Sequence, residues 1–340
     1  MNWAWLNIIN APNPLSSWTP TEQVGLLFVI LFGVLLLTSV GSFLNGLREA
    51  GGSPADLDIQ LRRQRFAHEL RLAWFGASIF WLAWVAGPIG ATLLFGVLSF
   101  LALREYITLL HTRRGDHRSL LLAFFVILPT QYALTGGRYF DLFSVLIPVY
   151  SFLAIPVVSA LAGDPARFLE RNAKIHWGLM VCVYGLSHAP ALLLLEFPGF
   201  VGSGAFLLFF LVAVVACGQS AQLAATRRLR RRPLARQISR DFSMRAWWIG
   251  ALAAGLAGGA LFWITPFKAP QAMMMAFVAS GAGSFGGLIM QALKRDAGVH
   301  NWGNLSAITG AVGLLDRIAV LCFAAPVFFH SVRWYFELAL

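Results

Sequence analysis

Two charged pairs at the borders of apolar segments are the residues of this sequence best suited to chemistry. Lys294 and Arg295 follow a glycine-spaced apolar segment, and Asp316 and Arg317 begin the next one. Ammonium and guanidinium groups bind phosphate, whereas a carboxylate binds a divalent cation. Charges inside a membrane segment are costly, so Asp316 and Arg317 are either an internal ion pair or contacts to a ligand or metal.

The composition indicates which scaffold positions these pairs. Of the 340 residues, 58% are hydrophobic and 12% are charged, whereas soluble domains contain about 25% charged residues. The apolar segments suit transmembrane helices of about 20 residues rather than barrel strands of about ten. We therefore predict an all-α, polytopic integral membrane protein with about ten transmembrane helices. Residues 1–23 are predicted to be an external N-terminal segment, and residues 24–340 a single transmembrane domain.

The loop charges predict the orientation of the helices. The predicted spans are 24–44, two short spans within 72–103 divided at Gly87–Pro88, 119–135, 140–161, 175–196, 204–225, 246–265, 271–293 and 308–332. Alternate loops contain 22 of the 26 Lys and Arg residues. Because basic loops face the cytoplasm, we predict a bacterial-type inner (cytoplasmic) membrane, with the charged pairs on the cytoplasmic face. The net charge of +11 is then explained by topology and anionic lipid, without nucleic acid.

Other motifs favour structural roles. Residues 281–286 (GAGSFG) match a dinucleotide-binding pattern, but they lie inside an apolar span, where Gly283 and Gly287 favour close helix packing. His188 is an intramembrane histidine for which packing is favoured over a ligand or relay role. Glu105 ends an apolar run and either pairs with a neighbouring arginine or contacts a polar site. The three cysteines have neither metal-site nor disulfide spacing.

The segment 226–245 contains eight arginines and one carboxylate. Such a segment can orient the chain while lying on anionic lipid. Alternatively, its guanidinium groups can bind phosphate in a bidentate manner. Its composition fits both interpretations.

The stretch 284–318, together with the apolar segment that follows it, resembles the C-terminal signature of the phosphatidate cytidylyltransferase (CDP-diacylglycerol synthase) family. The segments that carry this resemblance are KRDAGV (294–299), GLLDRI (313–318) and AAPVFF (324–329). Three upstream segments also resemble bacterial members of the family, namely SFLALREY (99–106), GDPARF (163–168) and LSHA (186–189). The similarity therefore extends over about residues 90–330.

The resemblance implies a membrane enzyme that condenses CTP with phosphatidic acid to give CDP-diacylglycerol and pyrophosphate. It implies a cytoplasmic site that uses Mg²⁺, with Asp316 as the catalytic and metal-binding residue. Lys294, Arg295, Arg317 and Ser239 are the residues that it assigns to phosphate or nucleotide binding. Metal ions stabilise the charge on the attacking and leaving oxygens in such a reaction.

The sequence departs from the family at most of the acidic positions. The residues at four positions where an aspartate is expected are Gln219, Gly287, Asn301 and Ala319. The segment that replaces the family's PGHGG loop is SAITGAVG (306–313), which has no histidine. One carboxylate rarely suffices for a two-metal site, so the departures remove most of the expected acid chemistry.

Three functions are therefore open. The first is an active phosphatidate cytidylyltransferase. The second is a non-catalytic relative, a pseudoenzyme, that binds phosphatidic acid or another anionic lipid or supports a partner membrane protein. The third is a lipid-phosphate transporter. A homodimer is also open, and we expect no nucleic-acid partner.

Overall fold

The computed structural model describes residues 19–49, scattered positions from 70 to 85, and residues 86–338 except 111, 197–203, 230–233, 240–241 and 299–312. Every regular element in this part of the chain is a helix, which confirms the all-α prediction. The helices are α1 (Pro20–Glu49), α2 (Gly87–Thr108), α3 (Arg114–Gly136), α4 (Phe140–Leu161), α5 (168–193), α6 (Gly204–Leu229), α7 (Met244–Ala260), α8 (Ala269–Asp296) and α9 (Leu314–Leu338).

Six of these helices, α2, α3, α4, α6, α8 and α9, are long and apolar enough to cross a membrane. The protein is therefore a polytopic membrane protein, as predicted. Helices α5 and α7 overlap two further predicted spans, but the first half of α5 is polar and α7 has 17 residues. The total of about ten spans stays a prediction, as does the division into an external segment and one domain, since residues 1–18 lie outside the described part.

The predicted break at Gly87–Pro88 is the point at which α2 begins. Gly87 has a φ of 69°, a left-handed conformation that glycine adopts at no steric cost. Pro88 follows in the first turn of the helix, where its missing N–H removes no helical hydrogen bond. The helix then continues to Thr108. The second of the two short spans predicted within 72–103 is therefore a helix of 22 residues, long enough to cross a membrane.

Helices α3, α4 and α5 each contain a π-helical segment, at Ala123–Ile127, Leu146–Ser151 and Leu179–Gly185, respectively. Such segments often occur at functional sites because they shift side chains out of the regular helical register. These helices pack with α2 and α9 around a core that includes the buried residues Leu103, Phe143, Leu179 and Phe329. Helix α9 therefore contacts α2 and α5, and it also contacts α8.

Glycines bring α8 and α9 close together. A Cβ atom on Gly283 would lie 2.8 Å from Val320 Cγ1, and one on Gly286 would lie 2.2 Å from Phe323 Cγ. Residues 281–286 are thus a helix-packing surface, which confirms that interpretation of Gly283. The close approach holds the last turn of α8 beside the first turn of α9, where the two charged pairs lie.

Candidate functional site

Lys294 and Asp316 form an ion pair between the end of α8 and the start of α9. The Lys294 side chain is 15% exposed and that of Asp316 is 33% exposed. The lysine lies at a helix C-terminus and the aspartate at a helix N-terminus, so each charge is favourable with its own helix dipole. The structure thus brings together two of the residues that the sequence assigned to the site, and Asp316 is paired across helices.

Glu105 of α2 is a third charged residue at this end of the bundle. Its Oε2 atom accepts the backbone N–H of Leu314 at 2.9 Å, so the carboxylate caps the first residue of α9. Glu105 is 3% exposed, and within the described residues its Oε1 atom has no hydrogen-bond partner. The structure thus gives Glu105 a structural role, as the cap of α9, which differs from contact with a polar site. The cap fixes the position of Asp316, two residues further along.

Of the other predicted phosphate ligands, Arg295 and Arg317 are next to this pair in the chain, whereas Ser239 is buried in a separate turn. Arg295 and Arg317 are exposed in the same two helix turns as Lys294 and Asp316. Ser239 lies in the turn 234–239 before α7, and its neighbour Phe242 packs against Phe285 of α8 with ring centroids 5.9 Å apart. This contact attaches the turn to α8, the helix that carries Lys294.

A neutral hydrogen-bond network occupies the region where the resemblance implies aspartates. Gln219 Nε2 of α6 donates to Ser284 Oγ of α8 at 2.7 Å, and Ser284 Oγ donates to Gln222 Oε1 at 2.7 Å. Gly287 follows Ser284 by three residues, and Ala319 of α9 is 5% exposed. Amides and a hydroxyl thus join α6 to α8 without charge. Asn301, the fourth such position, lies outside the described residues.

The Mg²⁺ ion that the resemblance implies does not fit the side chains in the described part of the chain. Mg²⁺ is held by oxygen ligands in near-octahedral geometry, usually with one or two carboxylates. Asp316 is paired with Lys294, and Glu105 caps α9. No group of three or more His, Cys, Asp or Glu side chains within the described residues could hold a metal ion.

A basic groove lies at the same end of the bundle, a few residues beyond the end of α2. Its volume is about 490 Å³, and it is lined by Thr112, Arg113, Arg114, His117 and Leu120. These five lining residues include no carboxylate to bind a cation, whereas the guanidinium groups suit phosphate.

A buried ion network shapes this groove. Asp116 accepts the backbone N–H of Arg113 at 2.8 Å and the Nε–H of Arg171 at 2.6 Å. Arg171 also donates to Asp164 Oδ2 at 2.8 Å. Asp164 belongs to the segment GDPARF, so that segment holds the groove in shape.

Comparison with known proteins agrees with these features. The model of the cytidylyltransferase family matches residues 68–335. The chain is also similar to the Escherichia coli protein named "Uncharacterized protein YnbB", with 36% identity over 267 residues that cover 77% of this chain and 85% of that protein. The matched region includes every helix from α2 to α8 and most of α9. The chain therefore belongs to the cytidylyltransferase family.

Proposed function

We propose that this protein binds phosphatidic acid through its headgroup phosphate, at the junction of α8 and α9 on the cytoplasmic face of the membrane. The observation that carries this proposal is the Lys294–Asp316 pair, flanked by the exposed side chains of Arg295 and Arg317. An ammonium group has three N–H donors, so Lys294 can contact Asp316 and a phosphate oxygen together. The guanidinium groups of Arg295 and Arg317 can bind further phosphate oxygens in a bidentate manner.

We further propose that the protein binds the lipid phosphate here without catalysing the metal-dependent transfer of a cytidylyl group. Transfer of a cytidylyl group needs cations that stabilise the attacking and leaving oxygens. The region expected to hold acidic metal ligands instead contains Gln219, Ser284 and Gln222, and Asp316 is already paired. In this proposal the protein is a pseudoenzyme that retains the lipid-binding part of the family's site.

The second candidate is the family's reaction itself, between CTP and phosphatidic acid. It is favoured by the basic groove at residues 112–120, because the two guanidinium groups of Arg113 and Arg114 could bind nucleotide phosphates. In this case Asp316 and the residues beyond the described part, including Asp241, would supply the acidic groups.

One experiment tests both candidates. The protein is placed in nanodiscs that contain phosphatidic acid, and pyrophosphate release is measured with CTP and Mg²⁺ beside an active family member. We expect saturable binding of phosphatidic acid and no pyrophosphate release. Release at the rate of the active member would overturn the pseudoenzyme and establish the second candidate. Equal binding of phosphatidic acid and phosphatidylcholine would contradict both.

A matched pair of variants distinguishes specific binding at this site from nonspecific attraction between the protein and anionic lipid. Lys294 and Lys268 lie at opposite ends of α8. We expect Lys294→Gln to weaken binding of phosphatidic acid and Lys268→Gln to leave it unchanged. An equal loss in both variants would indicate nonspecific attraction to anionic lipid.

A further inference from the structure

A second polar cluster lies near the other end of α9 and joins this helix to α5. His330 Nε2 of α9 lies 3.3 Å from His188 Nε2 and 3.0 Å from the Tyr184 hydroxyl oxygen. His188 is fully buried, whereas Tyr184 and His330 are half-buried. Three nitrogen and oxygen ligand atoms, supplied by residues up to 146 positions apart, thus meet inside the helix bundle.

A backbone contact sets the tautomer of His188. Its Nδ1 atom lies 2.7 Å from the carbonyl oxygen of Tyr184. A carbonyl can only accept, so Nδ1 carries the proton and donates it. The Nε2 atom of a neutral His188 therefore presents its lone pair toward His330. Histidines that bind metal ions generally donate their second ring N–H to a carbonyl or carboxylate in this way.

The two separations from His330 Nε2 suit a tetrahedral ion. With Zn–N distances of about 2.0–2.1 Å, neighbouring ligand atoms around tetrahedral zinc lie about 3.3 Å apart. The observed separations from His330 Nε2 are 3.3 Å and 3.0 Å. Imidazole nitrogens suit Zn²⁺ and similar transition ions, whereas Mg²⁺ prefers oxygen ligands.

The surrounding helices hold the ligands in place. Tyr184 lies in the π-helical segment Leu179–Gly185, directly before the turn that carries His188. The rings of Phe143 and Phe329 pack against the His188 ring with centroids 4.7 Å and 5.1 Å away. The ligands are thus fixed by the bundle before any ion binds.

The cluster is also close to an exposed surface. Arg333 follows His330 by one turn of α9 and pairs with Asp141, whose side chain is 96% exposed. The charged pair lies at the start of α4 and near the end of α9, so the cluster is about one helical turn from the polar end of the span.

The geometry points to a site for a tetrahedral divalent transition ion, with Zn²⁺ as the ion that fits best, bound by His188 Nε2, His330 Nε2 and the Tyr184 oxygen, with water as the fourth ligand. This inference is independent of the proposed lipid-binding function. The site would link α5 to α9 at the end of α9 remote from Asp316.

Metal titration of the full-length, untagged protein in detergent tests this site. We expect one Zn²⁺ per chain after loading and desalting, and visible absorption typical of tetrahedral coordination when Co²⁺ replaces Zn²⁺. With Cu²⁺, electron paramagnetic resonance should show coupling to two imidazole nitrogens.

Three variants complete the test. We expect His188→Gln and His330→Gln to weaken binding by at least about 100-fold, the upper end of what is lost with a supporting residue alone. His176→Gln, which changes another histidine of α5, should bind normally. If His188→Gln does not fold, the half-buried His330 gives the decisive variant. No retained Zn²⁺ in the wild-type protein, or equal affinity in His330→Gln, would show that the cluster is only a hydrogen-bonded contact between helices.

Discussion

The polar groups at the two ends of α9 differ in their charge and in their burial. At the first end, the polar groups are charged: Asp316 is paired with Lys294, and the Glu105 carboxylate caps the helix. At the other end, the polar groups are two imidazoles and a phenol, and aromatic rings pack against the His188 imidazole. The charged end is partly exposed, whereas His188 at the neutral end is fully buried.

This difference follows from the energy of desolvation. An isolated charge is expensive to bury, so charged groups lie where a partner or helix terminus compensates them. Neutral imidazoles can be buried more deeply when their nitrogens find partners. The charged end therefore suits a water-borne or headgroup phosphate, and the neutral end suits an ion that enters and exchanges water for nitrogen ligands.

The largest expected effect comes from separating α5 and α9 with Gly185→Ala. A Cβ atom on Gly185 would lie 2.4 Å from the Cys322 carbonyl oxygen of α9. We expect this clash to lower the free energy of unfolding by about 1–3 kcal/mol and to abolish Zn²⁺ binding, as measured by thermal unfolding and metal titration. Gly41→Ala is the control, because no atom lies within 4 Å of its added methyl group. Unchanged stability and Zn²⁺ affinity in Gly185→Ala would refute this contact.

Glu105→Ala should affect the charged end alone. The substitution leaves the Leu314 N–H buried without its acceptor, so we expect a loss of about 1–2 kcal/mol in unfolding free energy and weaker binding of phosphatidic acid. Glu105→Gln keeps an oxygen acceptor and should lose less in both measurements. Zn²⁺ affinity should match that of the wild type in both variants. A loss of Zn²⁺ binding in Glu105→Gln would show that the two ends are not independent.

Exchanging the partners of the ion pair separates stability from ligand binding. In Lys294→Asp combined with Asp316→Lys, the pair is retained but the positive charge moves from α8 to α9. We expect binding of phosphatidic acid to weaken about tenfold, the size of one charge-assisted hydrogen bond. We also expect the free energy of unfolding to fall by about 1–2 kcal/mol, because each charge now opposes the dipole of its own helix. If the double variant binds like the wild type, the position of the ammonium group is unimportant. If it unfolds, the single variant Lys294→Gln supplies the binding measurement.

Arg333→Gln should have the smallest effect. Its partner Asp141 is almost fully exposed, and exposed ion pairs contribute at most about 1 kcal/mol. We expect wild-type binding of both phosphatidic acid and Zn²⁺ within measurement error. A large loss of Zn²⁺ binding would mean that Arg333 shapes the histidine cluster directly.

The sequence predicted the charged end well because its residues form a contiguous signature. Lys294, Arg295, Asp316 and Arg317 lie within one stretch, and the structure shows that α8 and α9 bring Lys294 to Asp316. The helical fold followed from the apolar spans. The role of Glu105 could not be predicted, because the N–H that it accepts belongs to a residue 209 positions away.

The neutral end was missed for a related reason. His188 is a single histidine in an apolar segment, and His330 follows another apolar run. Neither has a nearby metal-ligand motif in sequence. Only the packing of α5 against α9, which depends on the small residue Gly185, shows that the two imidazoles meet.

The most direct test of the central claim is the binding of phosphatidic acid to the wild-type protein in nanodiscs with EDTA present. The account predicts the same affinity with EDTA as with Mg²⁺, because Lys294 and its neighbouring arginines bind the phosphate without a metal ion. Affinity that disappears in EDTA and returns with added Mg²⁺ would contradict this account and show that the site depends on a divalent cation.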